Sequence, residues 1–319
     1  MHTVKNRTKL IPALPLALVL VLLAACGNVG GSGDSGARDG GSGPAIAVGS
    51  KDFTEQFILG NMYALALEDA GFNVERKLNL GSEQIADKAL QSGQIDLYPE
   101  YTGTALAAIL PYKKDPATLN SPQATYRQAK ELYAKRDPAD TMLQPAPFNN
   151  TYGIFVRSEV AKKHNLSTLA DLAEASPDLT FVSFSQFQNR SDGYPNMQKN
   201  YPDLDFGKTR IVNSLGLRYQ GVLQGDGDVG VGFTTDGQLA SDELVVMEDP
   251  KSIWPFYYPA PVVRSNVLEQ NPGMKGILNE VSGTLDAETM RQLNAQVGIE
   301  REEPEDVAAE YLQEEGIVE

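Results

Sequence analysis

The sequence predicts an α/β protein built as two lobes with a cleft between them. Three observations carry that prediction. From Ala45 onward, short apolar strand signals alternate with stretches of helical spacing, the order of a largely parallel sheet flanked by helices. The alternation runs twice, and the two series are joined by the Pro-rich passages "QPAPFNN" and "EDPKSIWPFYYPAPVV". About 275 residues follow the N-terminal segments, enough for two such lobes. No internal repeat of fixed period accompanies them.

The N-terminus reads as a leader. Lys5, Arg7 and Lys9 precede the apolar run "LIPALPLALVLVLLAA", which is too short and wrongly flanked for a stable membrane span. It ends in Leu23-Ala24-Ala25-Cys26, the lipobox pattern of bacterial lipoproteins. Cleavage after residue 25 would leave Cys26 as the first residue, lipidated on sulfur and held at a membrane face. Cys26 is the only cysteine, which excludes a disulfide framework and a zinc cluster. Residues 26–44 are Gly/Ser-rich and too poor in apolar groups to pack, so they read as a flexible tether. The formal charge is −15, and removing the leader makes the remainder more acidic. Such a surface repels phosphate backbones, so nucleic acid is not an expected partner.

The elements follow in order. "AIAVGS" reads as a buried strand, and "TEQFILGNMYALALEDAG" as a helix with Thr54 as N-cap and Gly71 past its end. "FNVERKLNL" alternates like a strand, and "SEQIADKALQSG" is a helix from Ser82 to Gly93. "IDLYPEY" is a strand that Pro99 should end or place at an edge. "GTALAAIL" and residues 121–136 are helical, with Pro122 suited to a first turn. The second series has strands at 152–157, 180–184, 209–212 and 228–233. Helices are expected near 159–164, 167–175, 194–200 and 214–225, and over almost all of 266–317. The expected organisation is a leader at 1–25, a tether at 26–44, a first lobe of 45–149 plus 256–319, and a second lobe of 150–255.

Covalent chemistry is short of parts. His2 leaves with the leader, and His164 lies in the charged stretch "EVAKKHN", so a Ser-His-Asp triad would rest on one surface residue. No His/Cys cluster exists for a metal. "GDGDVG" matches G-x-G-x-x-G, but a helix precedes it and a strand follows, the reverse of the dinucleotide arrangement. It reads as a helix-to-strand turn, and its acids lack calcium-loop spacing. Carboxylates remain as the only acid/base groups, and the alternative enzymatic reading is a lipid-anchored hydrolase that uses cleft carboxylates.

Aromatic residues fall where ligands bind in open α/β sheets, at strand ends and between lobes. Tyr101 ends a strand signal, Tyr152 follows "FNNT", Phe233 ends "VGVGF", and Tyr257 and Tyr258 lie in the second Pro-rich passage. Ring faces attract a cation that cannot donate hydrogen bonds, above all a quaternary ammonium, by about 0.5–2 kcal/mol each. Lys51 and Arg190 occupy similar positions and suit an anion. A quaternary ammonium joined to a carboxylate is a betaine.

The blocks "VGSKDFTEQFILGNM", "KLNLGS", "GQIDLYPEYTGTAL", "FNNTYG", "DGYP", "GLRYQ", "TTDG" and "YYPAPVVR" resemble, in order, the solute-binding proteins of ABC importers for glycine betaine, carnitine and choline. The resemblance spans about 46–315. It implies a type II periplasmic-binding fold, two α/β lobes joined by two crossovers and closing on the solute. It also implies a cation cage of Tyr101, Tyr152, Phe233 and Tyr257 with the Asn150 backbone carbonyl, and carboxylate-holding positions at Lys51, Thr104 and Arg190. The family often has Tyr where Phe233 stands, and Tyr258 is an alternative to Tyr257. Relatives restricted to choline carry an acid at the Thr104 position, so the threonine points to a betaine. The partners so implied are a small quaternary-ammonium solute, an ABC permease, and the membrane through the lipid anchor. The implied location is extracytoplasmic, with no cofactor.

Overall fold

The structure is a computed structural model that describes residues 43–319. The expected leader, Cys26 and nearly all of the tether lie outside the described residues. Among those described, ten strands form two five-stranded sheets. The first has the order β2 (Val74–Lys77), β1 (Ile46–Gly49), β3 (Leu97–Tyr101), β10 (Pro259–Arg264), β4 (Asp140–Met142). The second has the order β7 (Lys208–Ile211), β6 (Thr180–Ser183), β8 (Val229–Phe233), β5 (Tyr152–Arg157), β9 (Leu244–Val246). The chain passes between the sheets twice, at 143–151 and 247–258.

The two sheets share one plan. In each, three strands run parallel, and the fourth in spatial order is antiparallel to its neighbours. That fourth strand is β10 in one sheet and β5 in the other, and each is the strand entered directly from a crossing. Both sheets are therefore mixed, which corrects the expectation of a largely parallel sheet. The sequence pattern of β10, with prolines at 259 and 261, hides a central strand inside what reads as a connecting passage.

Pro99 is a second correction. It neither ends β3 nor lies at an edge, because β3 runs through it between β1 and β10. The register explains the tolerance. Pro99 stands opposite Pro261, and two residues without N–H groups can only form a pair that exchanges no ladder bonds. On the other side, β1 pairs with β3 only at Val48↔Leu97, so no neighbour awaits a donor from residue 99. The helix expected after Tyr101 is also different: one α-turn at Thr102–Thr104 passes into a π-helical turn at Ala105–Ile109.

Helix Thr54–Asp69 is held by the first sheet on one side and by the C-terminal helices on the other. Ile58, Leu59, Met62, Tyr63 and Leu67 are fully buried in one cluster with Met274, Leu278, Val281, Met290, Val307 and Leu312. Each such side chain contributes about 1.5–3 kcal/mol relative to exposure. The Tyr63 hydroxyl meets Ser282 Oγ at 3.0 Å, which satisfies the one polar atom this packing buries on the ring. The C-terminal helices thus share one core with the first sheet. Helix Pro122–Tyr133 begins as expected, with Ser121 Oγ accepting from Ala124 N at 3.2 Å and Pro122 in the first turn.

Candidate functional site

The carboxyl ends of the parallel strands meet the starts of the antiparallel ones. Tyr101 at the end of β3 pairs with Pro259 at the start of β10, and Phe233 at the end of β8 pairs with Tyr152 at the start of β5. Tyr257 lies two residues before β10. The turn after β1 delivers Lys51, Asp52 and Phe53 to the same place. A cavity of about 130 Å³ lies among these segments, and all eight residues expected at the ligand line it: Lys51, Tyr101, Thr104, Asn150, Tyr152, Arg190, Phe233 and Tyr257. Tyr257 lines the cavity, and Tyr258 is not among its lining residues.

The rings form a continuous wall. Tyr152 lies 5.8 Å from Phe233 and 5.6 Å from Tyr257 between centroids. Phe53, which the sequence reading missed, stacks between Phe233 at 5.5 Å and Tyr101 at 6.1 Å. Trp254 supports Tyr152 from behind at 5.9 Å. The tyrosine rings are withdrawn from water, Tyr101, Tyr152 and Tyr257 being 5% exposed or less, while Phe53 and Phe233 are half-buried. A dry, ring-lined cavity is the setting in which cation–π attraction is strongest. Replacement of tyrosine by Phe233 leaves the ring face in place.

The cationic side chains are not bare. Lys51 Nζ contacts Glu100 Oε1 at 2.6 Å, both groups buried, and lies 4.5 Å from the Tyr101 centroid. Burial pushes the Glu100 carboxyl up, and Lys51 opposes that shift. Arg190 makes a two-pronged contact with Asp192, Nε to Oδ1 at 2.9 Å and Nη2 to Oδ2 at 2.6 Å. It also donates to Thr104 Oγ1 at 3.3 Å and lies 3.5 Å from Glu83. The Tyr257 hydroxyl donates to Asp192 Oδ2 at 2.7 Å, so one carboxylate orients both a cage ring and a guanidinium. These are buried ion pairs, with the Lys51, Glu100, Arg190 and Asp192 side chains all little exposed.

Glu55 organises the back of the site. It is buried and accepts four hydrogen bonds, from Tyr101 Oη at 2.7 Å, Asn150 Nδ2 at 2.8 Å, Thr235 Oγ1 at 2.6 Å and Asn294 Nδ2 at 3.0 Å. Its donors come from β3, the first crossing, the turn after β8 and the C-terminal helix 287–295. Burial pushes its carboxyl up, and the four donors hold it down. Asn150 is bound through its side chain here and through its N–H to Tyr257 O at 3.0 Å, while its Oδ1 has no partner among the described residues. Glu55 and Phe53 stand inside the quoted block "GSKDFTEQ", but nothing in spacing or composition separates them from other acids and rings.

His164, at the end of helix Ser158–His164, does not line the cavity. Among the described residues no group of three His, Cys, Asp or Glu side chains is arranged to hold a metal ion. No helix among them is long and apolar enough to cross a membrane.

The glycine betaine-binding protein YehZ of Escherichia coli is 35% identical over 280 residues, covering 85% of this chain and 90% of that protein. The glycine-betaine-binding protein of Pseudomonas aeruginosa is 35% identical over 283 residues, covering 84% of this chain and 87% of that protein. The crystal structure of a glycine betaine/carnitine/choline ABC transporter superposes with a TM-score of 0.69 at 30% identity, covering 85% of this chain and 99% of that one. Residues 44–314 match the family described as the substrate binding domain of the ABC-type glycine betaine transport system, and the chain belongs to that family, OpuAC.

Proposed function

We propose that this protein captures a trimethylammonium zwitterion, glycine betaine first among candidates, and presents it to the permease of an ABC importer. The observation that carries the reading is the ring wall: Tyr101, Tyr152, Phe233 and Tyr257 come from four distant segments and line one buried cavity beside Lys51 and Arg190. In this reading the rings and Asn150 hold the ammonium, and Lys51, Thr104 and Arg190 hold the carboxylate. Thr104 supports a zwitterion over choline, because a hydroxyl donates to a carboxylate where an acid would repel it. The lobes are assigned as 45–149 plus 256–319 and 150–255, closing on the solute about the two crossings. The protein acts as a binding protein and not as an enzyme, and no observation favours hydrolysis by cleft carboxylates. Cleavage after residue 25 and lipidation of Cys26 would tether it to the outer face of a membrane.

Calorimetric titration with glycine betaine, proline betaine, carnitine and choline tests the reading. Saturable heat is expected with the zwitterions and weaker binding with choline. Silence across all four would overturn it.

A further inference from the structure

Arg218 is the unusual charge of this cavity. It lies in the first turn of helix Leu215–Leu223, lines the cavity, and is 2% exposed. A buried guanidinium is ordinarily paired, because an unpaired charge removed from water is expensive. Lys51 and Arg190 obey that rule through Glu100, Asp192 and Glu83. Arg218 does not: among the described residues no carboxylate oxygen comes within the 4.0 Å ion-pairing distance of it. Its hydrogen bonds go to neutral backbone carbonyls, Nε to Val231 O at 2.9 Å and Nη1 to Asn213 O at 2.9 Å and Val212 O at 3.2 Å. Nη2 has no partner among the described residues. Burial lowers the Arg218 pKa to about 10, and the more distant Asp236 opposes that shift.

The group is also held rigidly. The guanidinium lies 4.3 Å from the centroid of Phe184, another cavity-lining ring. The three carbonyl bonds on one side and the ring on the other fix its plane. The Nε hydrogen and both Nη1 hydrogens are spent on those carbonyls, so the two N–H groups of Nη2 are left to donate to a carboxylate oxygen. Phe184 in turn lies 6.2 Å from Phe233, so one ring separates the guanidinium from the cage wall. A zwitterion with three carbons between ammonium and carboxylate carries its negative end farther from the cage than glycine betaine, which has one.

We propose that Arg218, backed by Phe184, forms a second anion subsite in this cavity, which takes the carboxylate of zwitterions longer than glycine betaine. The inference rests on the cage reading above and adds to it. The short zwitterion ends at Arg190 and Thr104, and the longer one ends at Arg218. The unpaired charge is then completed by the solute, which is the reason it carries no carboxylate of its own.

The test is titration of the full soluble chain and of Arg218→Met with glycine betaine, choline and 4-(trimethylammonio)butanoate. The wild-type protein is expected to bind the butanoate at a Kd within tenfold of that for glycine betaine. Arg218→Met is expected to weaken the butanoate by tenfold or more and to leave glycine betaine and choline within about threefold. Equal losses for all three solutes would show a structural arginine and overturn the proposal, as would no loss for any. If Arg218→Met does not fold, the wild-type series decides: binding of glycine betaine with no binding of the butanoate at a hundredfold higher concentration overturns the subsite. Wild-type protein that binds none of the three refutes the cage reading itself, an outcome distinct from the others.

Discussion

Replacing Tyr152 by leucine separates ring attraction from ordinary apolar packing. Tyr152 meets Phe187 at 4.7 Å, Tyr257 at 5.6 Å, Phe233 at 5.8 Å and Trp254 at 5.9 Å. Losing those contacts while keeping a buried aliphatic group is expected to destabilise the protein by about 1–3 kcal/mol. That cost appears in the unfolding of the protein without solute and is measured there. Binding carries a separate loss. One ring face in a dry site contributes about 0.5–2 kcal/mol to a methylated cation. Phe233 and Tyr257 remain beside the vacated position, so the expected loss is about 1–2 kcal/mol, a rise in Kd of roughly 5- to 30-fold. Titration with glycine betaine and with 3,3-dimethylbutanoate, its uncharged-head analogue, isolates the electrostatic part. The tert-butyl group has the shape of the trimethylammonium and none of its charge, so Tyr152→Leu should weaken the ammonium compound far more than the analogue. Equal losses for both would show that the ring acts by shape alone and would refute the cation–π argument.

Other substitutions address the frame around the cage. Glu55→Ala strips the acceptor from four buried donors, each costing about 1–3 kcal/mol when unsatisfied, and is expected to destabilise by at least about 3 kcal/mol in urea unfolding. Glu55→Gln should cost less, because Asn150 Oδ1 and Asn294 Oδ1 lack partners among the described residues and can turn to accept from the new amide; equal losses would contradict this network. Burial pushes Asp236 up to about 7, against bonds from Phe233 N–H, the Tyr219 hydroxyl and the charge of Arg218. Between about pH 4 and 7 the folded protein therefore holds a proton that the unfolded chain releases, and stability falls as pH rises through 7. Asp236→Asn should flatten that slope, and an unchanged slope in urea unfolding at pH 5–8 would exclude Asp236 as its source. A Cβ at Gly103 would lie 2.8 Å from Phe256 O and 2.8 Å from Tyr257 Cδ1. Because a backbone carbonyl yields poorly, Gly103→Ala should displace the Tyr257 ring and raise Kd for glycine betaine about tenfold; unchanged affinity would place Tyr257 outside the cage.

Much of this was legible in the chain. Helix spacing, capping residues and turn glycines act over a few residues, so helices such as Pro122–Tyr133 and strands such as Tyr152–Arg157 follow the pattern closely. The order of the quoted blocks identifies the family, and all eight expected binding residues line one cavity. The residues that escaped are those whose meaning depends on partners far away in sequence. Pro99 and Pro261 are tolerable in central strands only because each faces the other. Glu55 is one acid among many until Tyr101, Asn150, Thr235 and Asn294 converge on it. Arg218 is an ordinary helical arginine until burial removes its water and no carboxylate among the described residues replaces it. By itself the sequence determined local elements and the kinds of groups available, because those depend on short-range sterics and residue chemistry. The tertiary structure alone decided which charges are paired, which are left over and which rings touch, because desolvation and hydrogen-bond completion depend on what the whole fold brings within a few ångströms.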